Sequence, residues 1–219
     1  MGLRDFIRSI DLEFLESSLL RLAAVLLCLT VHETCHGLAA YALGDPTARE
    51  QRRLSLNPLR HIDWLGLAMM LMVGFGWARP VPVDPRHFKK PKQGMALTAL
   101  AGPASNLLLA LAAVFLSWVL YVHGDWMPPG VLIPLLEFLL YTLAPLSIGL
   151  GLFNLLPIPP LDGAKAVGAF LPDRTYFGLM RYERYGMLVL LALSWFGVTG
   201  NLVSGAILSV YRFFFELFF

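Results

Sequence analysis

Long runs of apolar residues dominate the chain and predict its principal elements. Six runs cover residues 19–43, 64–77, 95–122, 131–156, 186–198 and 202–218. The runs that begin at Leu19, Met95 and Val131 reach the length of about 20 helical residues that a hydrocarbon core of about 30 Å requires. They therefore predict three membrane-spanning helices.

The run 64–77 is too short and too rich in glycine for an ordinary spanning helix. It leads into the segment 78–83, in which proline and valine alternate. That segment cannot continue a helix but suits an extended edge strand. The last two runs are short and are divided at 199–201, which is typical of a tight hairpin or of one broken element.

Composition agrees with a membrane protein. Hydrophobic residues make up 57% of the chain and charged residues 15%, against about 25% charged in soluble domains. The net charge of +2 is too small to indicate a nucleic-acid partner. We expect an all-α polytopic membrane protein with about five transmembrane helices, and a short re-entrant or extended segment between the first two long helices. Residues 1–219 are expected to form one domain embedded in the lipid bilayer.

The N-terminal segment 1–18 is amphipathic and carries four acidic residues, unlike a cleavable secretory signal. The first apolar run is therefore expected to stay in the mature protein.

The distribution of positive charge predicts the orientation. Thirteen of the 17 basic residues fall into three groups, within 49–60, 79–92 and 165–184. If 64–77 enters the membrane and returns, all three groups lie on one side, which would be cytoplasmic. If it spans, the middle group lies on the other side. The charge distribution favours the re-entrant interpretation.

The first helix carries an H-E-x-x-H motif at 32–36. Histidines at i and i+4 lie on one helix face, so His32 and His36 can bind one zinc ion. Glu33 is placed to take a proton from a water bound to that metal. The structural alternative is two buried histidines that form hydrogen bonds within the protein and bind no metal. Two histidines and a glutamate are costly inside a bilayer unless they share a function, which favours the metal site.

Zinc requires a third protein ligand and an open position for catalysis. His123 is expected on the opposite side of the membrane, and His61 and His87 are expected to be solvated surface histidines. Asp162 is the better candidate, because it follows a proline-broken helix end on the same side as the end of the motif helix. Its alternative role is a loop aspartate that caps the next helix.

Five motifs in this order resemble the site-2 protease family of intramembrane metalloproteases, in its compact form without PDZ or CBS domains. The motifs are His32-Glu33-x-x-His36, Asn57-Pro58-x-x-His61-Ile62-Asp63, Gly76-Trp77-Ala78-Arg79-Pro80-Val81-Pro82-Val83, Ala101-Gly102-Pro103-x-x-Asn106 and Asn154-x-x-Pro157-x-Pro159-x-Leu161-Asp162-Gly163. The resemblance covers about residues 20–190.

The resemblance implies one zinc per chain with His32, His36 and Asp162 as ligands and Glu33 as catalytic base. It implies that Asn154 contacts the substrate backbone or orients the reacting carbonyl. It also implies a multi-pass protein of the cell membrane, an active site facing the cytoplasm, and a transmembrane or membrane-anchored protein substrate.

Some features of the motifs leave alternatives open. Cys35 stands inside the first motif and Cys28 seven residues before it. They are either small packing residues or, through a thiolate, neighbours of the metal. The segments 79–83 and 157–160 either hold an unwound substrate as an added strand or simply close loops.

Two other functions fit a metal cluster in a membrane protein. A catalytically silent zinc-binding interaction protein would be expected to lack Glu33 or Asp162, and both are present. A metal transporter would be expected to continue its polar residues toward the outer face. The stretch 22–31 offers only Cys28 and Thr30. A membrane zinc protease is therefore the favoured function.

Overall fold

The computed structural model describes residues 12–73, 77–181 and 183–219. The α-helices of these residues are α1 (Leu12–Ala42), α2 (Thr47–Glu50), α3 (Trp64–Val73), α4 (Pro91–His123), α5 (Pro129–Glu137), α6 (Ala144–Asn154), α7 (Asp162–Gly168), α8 (Asp173–Arg181), α9 (Glu183–Trp195) and α10 (Val198–Glu216). Within the described residues there is no strand, only an isolated antiparallel bridge. The all-α prediction is confirmed. The predicted amphipathic segment 1–18 falls mostly on residues 1–11, which lie outside the described residues.

Among the residues that the structure describes, three stretches are long and apolar enough to cross a membrane, and they match the three long apolar runs. They are Leu15–Ala42, Pro91–Trp126 and Pro129–Asn154. The last consists of α5 and α6 joined by a π-helical segment, Phe138–Leu143. The expected total of about five spanning helices stays a prediction.

Small side chains bring the long helices together. The buried core lies between α1, α4 and the α5–α6 unit, and α10 packs along α6. Its members are Ala24, Cys28, Ala110, Ala113, Val114, Leu139, Leu143, Ala144 and Ile148. Lipid supplies no hydrophobic drive between helices, so small residues that allow close approach are typical of such interfaces.

The segment 64–77 begins and ends at the same place. Ile62, just before α3, pairs with Ala78 in the antiparallel bridge. The N–H of Arg79 donates to the carbonyl of His61 at 2.9 Å. α3 has 10 residues, and such a helix rises about 15 Å, half the thickness of a hydrocarbon core. This geometry favours the re-entrant interpretation over a span.

The C-terminal helices separate earlier than predicted. The break between α9 and α10 lies at Phe196-Gly197, whereas 199–201 belongs to α10. Gly197 has φ +69°, a left-handed conformation that ends a helix and that glycine adopts without strain. The predicted division at 199–201 was wrong for that reason.

The three basic groups meet at one end of the helices. The Arg53 guanidinium donates to the carbonyl of Arg79 at 2.7 Å, which joins the first group to the second. Lys92 forms an ion pair with Asp173 at 2.9 Å, which brings the second group to α8. These contacts agree with the prediction that all three lie on one side.

Candidate metal centre and active site

His32 and His36 of α1 point toward the same space as Asp162, the first residue of α7. Nε2 of His32 lies 3.1 Å from Oδ2 of Asp162 and 3.0 Å from Nε2 of His36. Nε2 of His36 lies 3.1 Å from the same carboxylate oxygen. Among the described residues these three form the group able to hold a metal ion. The prediction that Asp162 comes to the histidines agrees with this geometry.

The donor set fits zinc. Ligand atoms of a tetrahedral zinc, bound at about 2.0–2.1 Å, lie about 3.3 Å apart, close to the observed spacing. Nδ1 of His36 lies 2.7 Å from the carbonyl oxygen of Thr98 and must carry a proton to bond it. Nε2 of a neutral His36 is therefore unprotonated and presents its lone pair to the cluster.

Asp162 does not cap a helix. α7 begins at Asp162 itself, follows Leu161, and has no side-chain cap. Burial raises the pKa of Asp162, but its interactions with the His32 and His36 rings, when these rings are protonated, outweigh burial and hold that pKa below its usual range. The Asp162 carboxylate therefore interacts with the two histidines and not with the N-terminus of α7.

Two glycines allow the site to close. A Cβ on Gly102 of α4 would lie 2.4 Å from Nε2 of His36. A Cβ on Gly163 would lie 2.1 Å from the carbonyl oxygen of Leu155. The absence of a side chain at Gly102 lets α4 approach the histidine pair. The absence of one at Gly163 lets the loop before α7 fold back, so that Asp162 reaches the two histidines.

Glu33 lies on the wall of the same cavity. The cavity has a volume of about 500 Å³, and its lining includes the three candidate ligands His32, His36 and Asp162. Oε2 of Glu33 accepts the backbone N–H of Val81 at 2.8 Å. This bond fixes one carboxylate oxygen and leaves Oε1 for other chemistry.

Asn154 lies at the end of α6 and also lines the cavity. Its Nδ2 donates to the carbonyl of Leu150, one turn back in the same helix, at 2.9 Å. The amide oxygen is not used in that bond.

The expectation for His61 was wrong. The side chain is buried, with 2% of the residue exposed. Nε2–H of His61 donates to the carbonyl of Ser55 at 2.7 Å, where the Thr34 hydroxyl also donates, at 2.9 Å. The basic loop around His61 suggested solvent, but the loop folds over α1. His87 has 45% of its side chain exposed and lies 3.0 Å from Asp45, and His123 is exposed at the far end of α4.

The alternatives for the two Pro-rich segments now differ. Residues 157–160 form bends and turns, with Ile158 N–H donating to the Leu156 carbonyl and Leu161 N–H to that of Ile158. This geometry favours loop closure, and Pro160 also lines the cavity. The segment 78–83 is extended, and Pro80, Val81 and Val83 line the cavity.

Comparisons with known proteins decide the family. The model of "Peptidase family M50" matches residues 129–196, which include Asn154 and Asp162. YwhC of Bacillus subtilis (strain 168), named "Putative zinc metalloprotease", is 42% identical over 164 residues, covering 75% of this chain and 74% of YwhC. The chain belongs to peptidase family M50. It is therefore a membrane zinc metalloprotease, and the resemblance to site-2 proteases is confirmed.

Two proteins named Rip2 carry the same description. The one from Mycolicibacterium smegmatis is 30% identical over 184 residues, covering 80% of this chain and 66% of Rip2. The one from Mycobacterium tuberculosis is 29% identical over 178 residues, covering 78% and 65%. No solved structure gives a significant match to the chain.

Proposed function

We propose that this M50 protease hydrolyses peptide bonds within or beside the membrane-spanning segments of other proteins. In this proposal His32, His36 and Asp162 would hold one zinc ion per chain. The observation that carries the proposal is the triangle of three donor atoms, with sides of 3.0–3.1 Å, in a cavity that Glu33 also lines.

A zinc ion held by these three residues would polarise a carbonyl and lower the pKa of a bound water to near 7. The chain's own residues supply the proton transfers. Oε1 of Glu33 accepts the proton of the attacking water as the oxygen–carbon bond forms. It then returns that proton to the amine nitrogen as the carbon–nitrogen bond breaks.

Asn154 acts on the reacting carbonyl in this proposal. It lies at the cavity wall, within a helix that carries no charged residue between Ala144 and its end. An amide donor at such a position stabilises negative charge on the carbonyl oxygen in the transition state. Its present bond to Leu150 lies in the same helix and must be exchanged for the substrate.

The depth of the site supports a membrane-embedded substrate. His32 lies ten residues before the end of the span Leu15–Ala42, a distance of about 15 Å along a helix. A peptide bond must therefore enter the thickness of the bilayer to be cut. The extended segment 78–83 is the wall along which a locally unwound substrate would lie.

The end of the helices that carries the three basic groups faces the cytoplasm in this proposal, because positively charged loops stay on that side. The motif helix α1 ends at this face. We accordingly propose that the protein lies in the cell membrane and that its active site opens to the cytoplasm.

Substitution of Glu33 tests the mechanism. Glu33→Gln keeps the shape of the side chain but removes the base, and Glu50→Gln is a matched change at an exposed position. Cleavage is measured with purified, zinc-loaded protein on β-casein in detergent and on a single-span reporter in vesicles. We expect Glu33→Gln to lower the rate by about 10²–10⁴-fold, with zinc content unchanged and Glu50→Gln fully active. Cleavage by Glu33→Gln at the wild-type rate would refute the mechanism.

The place of cleavage is read from the products. Mass spectrometry of the reporter fragments is expected to find the cut inside or directly beside the spanning segment. Cuts confined to the soluble part of the reporter would reject the intramembrane proposal while leaving zinc proteolysis intact. Membrane peptides that accumulate in cells carrying Glu33→Gln would then identify natural substrates.

A further inference from the structure

The extended segment 78–83 is attached to the rest of the protein at both ends. At its start, Ala78 pairs with Ile62. At its end, the N–H of Asp84 donates to Oδ2 of the buried Asp45 at 2.7 Å. Between these points the segment lies over α1, where Val81 packs near Gly37. The attachments fix the ends but leave the middle to other contacts.

Proline leaves one amide for Glu33 in the middle of the segment. Pro80 and Pro82 have no N–H, and the N–H of Arg79 is used by the His61 carbonyl. Val81 is the residue between the two prolines, and its N–H goes to Glu33. A small rotation of the segment would turn this donor away, and neither neighbour could replace it.

The guanidinium of Arg53 holds the carbonyls that precede this amide. Nη2 of Arg53 lies 2.7 Å from the carbonyl oxygen of Arg79 and 3.3 Å from that of Pro80. Arg53 has only 9% of its surface exposed. Burial is expensive for a charged group unless it has firm partners. The buried Arg53 guanidinium is therefore well suited to hold the backbone of Arg79 and Pro80 in place, unlike an arginine that points into solvent.

Charge favours the same arrangement. Burial lowers the pKa of Arg53, the neighbouring Arg79 lowers it further, and Glu33 opposes both effects by attraction. Among the described residues, the ion pairs that the structure shows do not include Arg53. Its positive charge therefore serves the two carbonyls directly and Glu33 at longer range.

We propose that Arg53 is a positioning residue for proteolysis: by gripping the carbonyls of Arg79 and Pro80 it holds the Val81 N–H on Glu33. The proposal rests on the proposed role of Glu33 as base. Without the guanidinium, the middle of the segment moves, Oε2 loses its donor and the carboxylate leaves its reactive position. A misplacement of about 1 Å can cost about 10²-fold in rate.

The test compares Arg53→Gln and Arg53→Lys with wild type in the full-length, zinc-loaded protein. Arg174→Gln is the matched control, because Arg174 is exposed on α8. Three quantities are measured: kcat and KM on β-casein in detergent, zinc content, and amide hydrogen exchange of peptides covering 77–84. Guanidinium ion is added to the Gln variant as a chemical rescue.

We expect Arg53→Gln to lower kcat by between about 10-fold and about 100-fold, with KM and zinc content near wild type and faster exchange in 77–84. Arg53→Lys should lose less, and guanidinium should restore part of the rate. A general structural role would not give a kcat effect that an added ion reverses. Wild-type kcat in Arg53→Gln, or faster exchange in Arg53→Lys with an unchanged kcat, would overturn the proposal.

A variant that fails to fold, and a failure of the proposed role of Glu33, can each be distinguished from a failure of the proposed role of Arg53. If Arg53→Gln does not fold, Arg53→Lys carries the same comparison, and a folded, fully active Arg53→Lys with wild-type exchange in 77–84 would overturn the proposal. If Glu33→Gln cleaves as wild type does, the role of Glu33 fails. Unchanged hydrogen exchange of 77–84 in both Arg53 variants would instead refute the proposal that Arg53 holds the Arg79 and Pro80 carbonyls in place.

Discussion

Gly102 of α4 lies directly against the imidazole of His36. A Cβ at residue 102 would stand 2.4 Å from Nε2 of His36 and 2.7 Å from Cε1 of His32. Real side chains do not pack at such distances. The approach of α4 therefore depends on the absence of a side chain at this position, and the same helix supplies the Thr98 carbonyl that orients His36.

Gly102→Ala should weaken zinc binding. Alanine in place of glycine inside a helix normally favours the helix by about 1 kcal/mol, so any loss reports the contact with the histidines. We expect reduced zinc content and reduced cleavage. Gly130→Ala is the control, because a Cβ there meets nothing within 4 Å. Equal zinc affinity in the two variants, measured by competition with a chelator, would show that the histidines do not need this space.

Asp45 should stabilise the loops beside the active site in a pH-dependent way. This fully buried carboxylate accepts hydrogen bonds from the Thr47 and Asp84 amides at 3.0 and 2.7 Å. Burial raises the pKa of Asp45, but these bonds and those from the Thr47 hydroxyl and His87 outweigh burial and hold the pKa below the ordinary 3.8. The native state then binds fewer protons than the unfolded state around that pH, so this stabilisation is present above pH 3.8 and is lost as the pH falls through the native pKa.

We expect Asp45→Asn to lower the free energy of unfolding at neutral pH by about 1–3 kcal/mol. The difference from wild type should shrink below about pH 4. Thermal unfolding in detergent across this range measures it, with the exposed Asp125→Asn as control. A difference that stays constant down to acidic pH would assign the effect to shape rather than to charge.

The two cysteines should not matter for the metal. Cys28 is buried in the hydrophobic core with Ala24 and Ile148. Cys35 is half-buried and is not in the metal-binding group of the described residues. Cys35→Ala should therefore keep its zinc and its cleavage rate, as measured by metal analysis of the purified protein. Loss of zinc from a folded Cys35→Ala would revive the thiolate alternative.

The sequence predicts the part of the site that depends on local spacing. His32, Glu33 and His36 follow from one helical motif, because i and i+4 must share a face. Asp162 required more, since its approach depends on a loop that folds over Gly163. Its placement on the same side as the histidines followed from the apolar runs, while its role as a ligand is a prediction that the resemblance implies.

The buried contacts that Arg53 and His61 make in the basic loops were not predicted from the sequence. Arg53 and His61 stand among charged residues that are usually solvated, and the sequence does not show that their loop folds over α1. The Thr98 carbonyl and the Val81 amide are backbone groups, which no residue type reveals. The sequence gives one indication of the Val81 contact: Pro80 and Pro82 have no N–H, so the Val81 N–H is the donor between them.

Zinc content after removal of the Asp162 carboxylate tests the central claim most directly. Asp162→Ala is purified beside wild type and Asp125→Ala, an exposed aspartate outside the site. Each protein is dialysed against the same weak chelator, and zinc is measured per chain. We predict one zinc in wild type and in Asp125→Ala, and loss of most of the zinc from Asp162→Ala with the helical content kept. Wild-type stoichiometry and affinity in Asp162→Ala would contradict the assignment of His32, His36 and Asp162 as the metal site.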